Sequence, residues 1–233
     1  LLSIFASSQF LADTLVGNPG FFDWATSPEN LNRALRRPEV EAGLRTLSRA
    51  SGERTAWLDA LRVYRRREIL RIGTRDICLG APIGEVTGDL SVLAESCVET
   101  ALERFWSETG AGADLAGRFC VLAFGKLGGG ELNYSSDIAL LGVYDGPSDP
   151  AFATALARVR EDLSAHTSEG YAYRVDLRLR PHGRSGPLAQ PLASAAAYYA
   201  TTAALWEIQA LLKLRPIAGA IEIGRARSEE HTS

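Results

Sequence analysis

The sequence predicts an α+β protein, a helical first half leading into a small domain of alternating strand and helix. Three observations carry that prediction. Up to about residue 110 the apolar residues recur at helical spacing, as in Leu90, Leu93, Ala94, Cys97, Ala101 and Phe105. Past the glycine boundary Gly110-Ala-Gly112 they gather into short runs, the first being the wholly apolar Phe119–Phe124. A glycine-rich turn, Gly125-Lys-Leu-Gly-Gly-Gly130, then joins that run to the next.

Taken in order, Ile4, Phe5, Phe10, Leu11 and Leu15 fit one face of an opening helix that Gly17-Asn-Pro-Gly20 ends. Phe21, Phe22 and Trp24 follow as an aromatic anchor. Glu41–Arg49 reads as a short amphipathic helix, and Thr55–Ile72 as a longer one carrying Trp57, Leu58, Leu61, Tyr64 and Ile69 on or near one face. Its run Arg65-Arg-Arg67, beside Glu68, has two readings: a solvated face with local pairing, or a patch facing phosphate or a partner. Pro82-Ile-Gly84 breaks the chain, and Thr87 is the expected N-cap of the next helix. Strands are expected over 119–124, 137–144 and 171–180, the last stopped by Pro181, with a helix over 150–165. Ser194 is expected to cap a final helix running to about Leu214.

Composition narrows the function classes. A formal charge of -3 and a pI near 5.7 argue against nucleic-acid binding by the whole surface. No apolar run reaches membrane-spanning length, so no membrane partner is expected. The three cysteines, Cys78, Cys97 and Cys120, have no metal-ligand spacing and read as reduced core residues of a cytoplasmic protein. Methionine is absent, which suggests that both ends are cut, and Arg227–Ser233 reads as translated adapter sequence. The expected division is therefore a helical region over 1–112, a strand-containing core over 113–226 and a non-native tail over 227–233.

The chemistry concentrates after the first strand. Glycines let backbone N–H groups approach phosphate oxygens, and a carboxylate opening the next strand offers the hard oxygen that Mg²⁺ prefers. Period two puts Asp137, Ala139, Leu141 and Val143 on one face, so an Asp-x-Asp metal clamp would be only half present. In the third strand Arg174, Asp176, Arg178 and Arg180 share a face. A metal would satisfy Asp176 and phosphates would satisfy the arginines; the alternative is an exposed edge strand with Arg–Asp pairing. His182, in the loop Pro181–Pro187, has two readings, an exposed loop histidine or a group acting on a phosphate, and the first is the commoner. No Ser-His-Asp order, P-loop or Rossmann spacing is met.

Together, Gly125–Asn133, Ser135-Ser-Asp137, Tyr173–Pro181, Gly183–Pro187 and Trp206–Pro216 resemble the bifunctional glutamine-synthetase adenylyltransferase/adenylyl-removing enzymes. The resemblance spans about residues 1–224. It implies a nucleotidyltransferase fold for 113–226: a short mixed sheet with helices, preceded by the helical region. The wording Glu131-Leu-Asn133 with Ser135-Ser136 is closer to the N-terminal half of that family, which removes AMP from a tyrosine of glutamine synthetase by phosphorolysis, releasing ADP. Two alternatives stay open: the adenylyl-attaching half, or a non-catalytic module that docks on glutamine synthetase.

The resemblance further implies that Gly128, Gly129, Ser136 and Lys126 sit at the nucleotide. Asp137 and Asp176 become the catalytic, Mg²⁺-binding carboxylates, and Arg178 and Arg180 are the strand-derived candidates for phosphate. Implied partners are glutamine synthetase, ADP or ATP, inorganic phosphate and, for the full-length family, the PII signalling protein. Two positions depart from the pattern: Ala139 and Ala220 stand where the family has aspartate. The first predicts an impaired metal site and little activity.

Overall fold

The computed structural model describes residues 2–110 and 112–225, so the expected tail over 227–233 lies outside the described residues. The opening is not one helix but two, α1 (Leu2–Ser7) and α2 (Gln9–Gly17). Ser8 interrupts them in extended conformation, and its hydroxyl accepts the Leu11 N–H. The break resets the helical phase: Ile4, Leu11 and Leu15 are buried as expected, whereas Phe5 and Phe10 are exposed. Two short helices, α3 (Phe21–Thr26) and α4 (Pro28–Leu31), pack Phe21, Phe22 and Trp24 against the core.

Three longer helices follow: α5 (Arg37–Ala50), α6 (Arg54–Leu79) and α7 (Ile83–Thr109). Helix α6 outruns its expected end because nothing breaks it before Gly80, whose φ of 63° closes it in the left-handed region. Thr87 is not a cap: Pro82 precedes α7, and the Thr87 hydroxyl donates to the Ile83 carbonyl one turn back. The arginine run on α6 is no solvated face. The Arg65 guanidinium lies 4.4 Å over the Tyr173 ring, Arg66 pairs with Glu169, and Arg67 lies 4.1 Å over the Trp24 ring and 5.0 Å from that of Tyr64.

After α8 (Gly112–Ala116) comes β1 (Phe119–Ala123), buried along its whole length. The remaining elements are α9 (Gly125–Gly128), β2 (Ile138–Tyr144), α10 (Pro150–Ser164), β3 (Val175–Asp176), β4 (Ala189–Pro191), α11 (Leu192–Thr201), α12 (Leu205–Ala210), β5 (Arg215–Gly219) and α13 (Ile221–Arg225). The mixed sheet runs β3-β2-β1-β5, with β4 further along the edge of β2 that carries β3. Strand β1 is antiparallel to β2 and β5, while β3 and β4 are parallel to β2.

Two expectations fail in this half. The strand over 171–180 shrinks to two residues because the Arg178 N–H bonds to the Asp176 carboxylate and turns the chain. Ser194 lies inside α11, which starts after Pro191 and stops at Thr201. Beyond it the chain forms α12 and then β5, a strand the helical reading did not include.

The sheet separates two apolar layers. Phe119, Val121, Ala123, Ile138 and Leu140 face a core built with α6, α7 and α10, continuous across the glycine boundary near residue 110. Cys120, Leu122, Leu141 and Val143 face a thinner layer with Ala195, Tyr199, Leu211 and Ile223. Burial pushes the Cys97 and Cys120 thiols up to about 12, fitting inert core residues, but Cys78 is exposed. Among the described residues no helix is long and apolar enough to cross a membrane.

Candidate functional site

Because β1 and β2 are antiparallel, the end of one meets the start of the other. The Phe124 N–H donates to the Ala139 carbonyl at 2.9 Å, placing the glycine turn beside the opening of β2. Gly125 and Gly130, with φ of 57° and 68°, supply the backbone conformations that make the turn. Gly128 has a different reason to be glycine. A Cβ there would lie 1.9 Å from the Lys213 carbonyl oxygen and 2.4 Å from that of Ala123. The close approach at Gly128 is thus to the chain's own backbone. Arg215 locks this packing, donating to the Gly128 and Leu127 carbonyls at 2.9 and 3.1 Å and pairing with Glu95 of α7. Lys213 pairs with Glu131.

Gly129 and Lys126 are exposed on this turn, and the Lys126 ammonium has no partner among the described residues. Ser136 is half-buried, its N–H held by the Asn133 carbonyl at 3.2 Å. Asp137 is exposed just ahead of β2, where Arg174 Nε donates to its Oδ1 and Arg174 Nη2 to the Ser135 carbonyl.

The parallel register sets Asp176 directly against Ala139. Ala139 packs in the layer of Leu141 and Val143, so the period-two face of β2 is as the sequence predicts. Arg178 clasps Asp176, its Nε reaching Oδ1 and Oδ2 at 2.9 and 3.0 Å and its Nη2 reaching Oδ2 at 2.7 Å. The Arg178 side chain, aided by its own N–H and by Arg184 nearby, holds the Asp176 carboxyl below the usual carboxylate range. Arg178 in turn is raised by Asp176 first and also by Asp137, so the two carboxylates share one electrostatic neighbourhood.

Arg180 is elsewhere. It is buried, and its guanidinium donates to the Leu177, Gly186 and Arg184 carbonyls at 2.7, 2.9 and 3.0 Å, which fastens the 181–187 loop. His182 is exposed in that loop, with its ring against Tyr198. Ala220 lies at the far end of β1, where its N–H meets the Phe119 carbonyl, so this departure does not touch the carboxylates.

The donor set does not fit Mg²⁺ well. Among the described residues no three acidic or metal-ligating side chains converge, and each of the two carboxylates present is already engaged by an arginine. A hard divalent ion seeks near-octahedral oxygen ligation, and the side chain closest in register to Asp176 is a methyl group.

A cleft of about 810 Å³ lies nearby but does not cover the carboxylates. It opens between α2, α6 and the 166–171 loop and reaches the site only through Tyr134 and Ser135. Sequence reasoning missed it because its walls come from three distant segments. It also missed Arg215, whose tie to Glu95 spans 120 residues. Arg174 was legible only as a member of a charged face, not as the partner of Asp137.

Known proteins bear on this arrangement. The chain is 35% identical to a bifunctional glutamine synthetase adenylyltransferase/adenylyl-removing enzyme of Thioalkalivibrio sulfidiphilus, over 97% of this chain and 25% of that protein. The corresponding protein of Streptomyces coelicolor is 39% identical over 94% of this chain and 22% of its own length. That of Rhizobium meliloti is 36% identical over 100% of this chain and 26% of its length. The chain thus spans about a quarter of the curated relatives it matches. With a family model described as glutamate-ammonia ligase adenylyltransferase matching residues 1–230, these relatives settle descent: the chain belongs to that family.

Proposed function

We propose that this chain is the nucleotidyltransferase unit of an adenylyl-removing half, built to take AMP off a tyrosine of glutamine synthetase by phosphorolysis, and that Ala139 leaves it slow or silent. One observation carries the reading: in a member of this family, the glycine turn, Asp137, Asp176 and Arg178 meet at one end of a mixed sheet. The wording of 131–136 supports the removing half over the attaching half.

In the reaction a phosphate oxygen attacks the phosphorus of the AMP–tyrosine bond in line. A new P–O–P bond forms, the tyrosine oxygen leaves with the bonding pair, and a proton from solvent restores the phenol; ADP departs. Such a displacement asks the protein for alignment and charge neutralisation rather than covalent help. On this reading Gly129 and Ser136 contact the nucleotide, and Lys126 and Arg178 neutralise phosphate. Arg180 is left out because its donors are spent on the loop. Mg²⁺ is left out of these steps because the carboxylate set is incomplete. Glutamine synthetase, nucleotide, inorganic phosphate and the PII protein are the partners this reading implies for the longer protein.

The test is ADP release from adenylylated glutamine synthetase with phosphate and Mg²⁺, comparing this chain with Ala139→Asp. The expected result is release by the variant and little by the parent chain. Vigorous release by the parent would refute the impairment, and ATP-dependent labelling of glutamine synthetase by the variant would assign the attaching half instead. Silence from both folded proteins would favour a docking module, a reading that the Ala139 substitution itself supports.

A further inference from the structure

The misfit to Mg²⁺ has a counterpart in the cations around it. Arg174, Arg178 and Arg184 gather about Asp137 and Asp176, a local excess of positive charge in a chain whose formal net charge is -3, and Lys126 stands on the neighbouring glycine turn. The Lys126 and Arg184 side chains make no hydrogen bond or ion pair among the described residues, and both are exposed. Arg174 and Arg178 are engaged through Nε and Nη2 only, on Asp137 and Ser135 and on Asp176 respectively. In each the Nη1 group donates to nothing among the described residues. A guanidinium is a planar fork of five N–H donors, able to hold a carboxylate on one side and a phosphate on another.

A divalent metal in such a site would hold carboxylate oxygens and phosphate oxygens together. Here two arginines already hold the carboxylates, and their remaining donors are open to solvent. We propose that the site binds the phosphate groups of its ligand without a metal, with Arg174 and Arg178 bridging Asp137 and Asp176 to phosphate and Lys126 and Arg184 completing the neutralisation. The inference rests on the proposed function for the identity of the ligand, a phosphate carried by an adenine nucleotide or free in solution. It goes further in making binding and turnover separable: this chain would retain the first after losing the second.

The test is calorimetric titration of the full chain with ADP, inorganic phosphate and adenosine, each in EDTA and in Mg²⁺. ADP is expected to bind in EDTA, with an affinity that Mg²⁺ does not raise and that falls as salt rises. Inorganic phosphate is expected to compete, and adenosine to bind far more weakly than ADP. Arg178→Gln removes a charged donor at an exposed position and is expected to weaken ADP binding about tenfold or more while leaving the fold intact. In Ala139→Asp the added carboxylate should weaken ADP binding in EDTA, and Mg²⁺ should restore it. ADP binding by the parent chain that requires Mg²⁺ would overturn this inference and leave the proposed function standing. No binding of ADP in either condition would overturn both. Adenosine binding as tightly as ADP, or an Arg178→Gln chain of unchanged affinity, would remove the phosphate contacts from the argument.

Discussion

Arginine–carboxylate pairs serve two ends in this molecule, and the contrast between them organises it. In the helical layer, Asp89 of α7 is buried and accepts Arg75 at 2.6 Å and the Leu35 N–H at 2.8 Å, with Arg71 at 3.7 Å. Burial outweighs these partners and raises the Asp89 carboxyl above its usual range. At the sheet end, Asp137 and Arg174 make a pair of the same chemical type with more than half of each side chain exposed. There water screens the attraction and little stability depends on it. A desolvated pair cannot exchange partners without leaving a buried charge alone. An exposed pair can be opened or shared by a ligand. The same two residue types thus make structure in the helical layer and a site at the end of the sheet.

The largest effect should come from breaking the buried network. Asp89→Ala strands the Leu35 N–H and leaves the buried Arg75 with Glu85 alone, and is expected to destabilise the chain by about 3 kcal/mol in urea unfolding. Arg174→Gln in the same assay should stay within about 0.5 kcal/mol of the parent. Equal costs would break the comparison. The next effect separates two glycines of the turn. Gly128→Ala would drive a methyl group into the Lys213 and Ala123 carbonyls and should cost about 1–3 kcal/mol or more. Gly129→Ala meets only the flexible Lys213 stem at 3.0 Å and the Glu131 side chain at 3.4 Å, so a cost below about 1 kcal/mol is expected.

The smallest effect is one of pH. Asp176 is depressed chiefly by Arg178, so its contribution to stability is complete above the unfolded carboxylate value of about 4 and is lost as pH falls through the folded one. Arg178→Gln should move the Asp176 titration, followed by NMR, up toward the ordinary value and make acid unfolding slightly less steep. An unmoved Asp176 would mean that Arg178 is not its main partner.

Much of the helical layer was legible because its signal is local. Leu90, Leu93, Ala94, Cys97, Ala101 and Phe105 are all buried on α7, as their spacing says. Strand β1, being wholly apolar, could only be a buried strand or a buried helix, and its six-residue run favoured the strand. At the site, Asp137, Ala139 and the glycine turn were readable from their order alone. The C-terminal segment was not. Residues 215–219 become β5 because β1 offers them an unpaired edge, a partner about a hundred residues away that no local pattern announces.

The sequence by itself therefore determined the α+β class, the position of the glycine turn and the missing carboxylate at 139, since each depends on residue identity or short-range periodicity. Tertiary structure alone decided which charges are buried and which are available. Arg178 and Arg180 look equivalent two residues apart, but the turn after Asp176 sends one to a carboxylate and the other into its own loop. The physical reason is that desolvation and hydrogen-bond saturation are properties of what surrounds a group in space, and those neighbours come from distant parts of the chain.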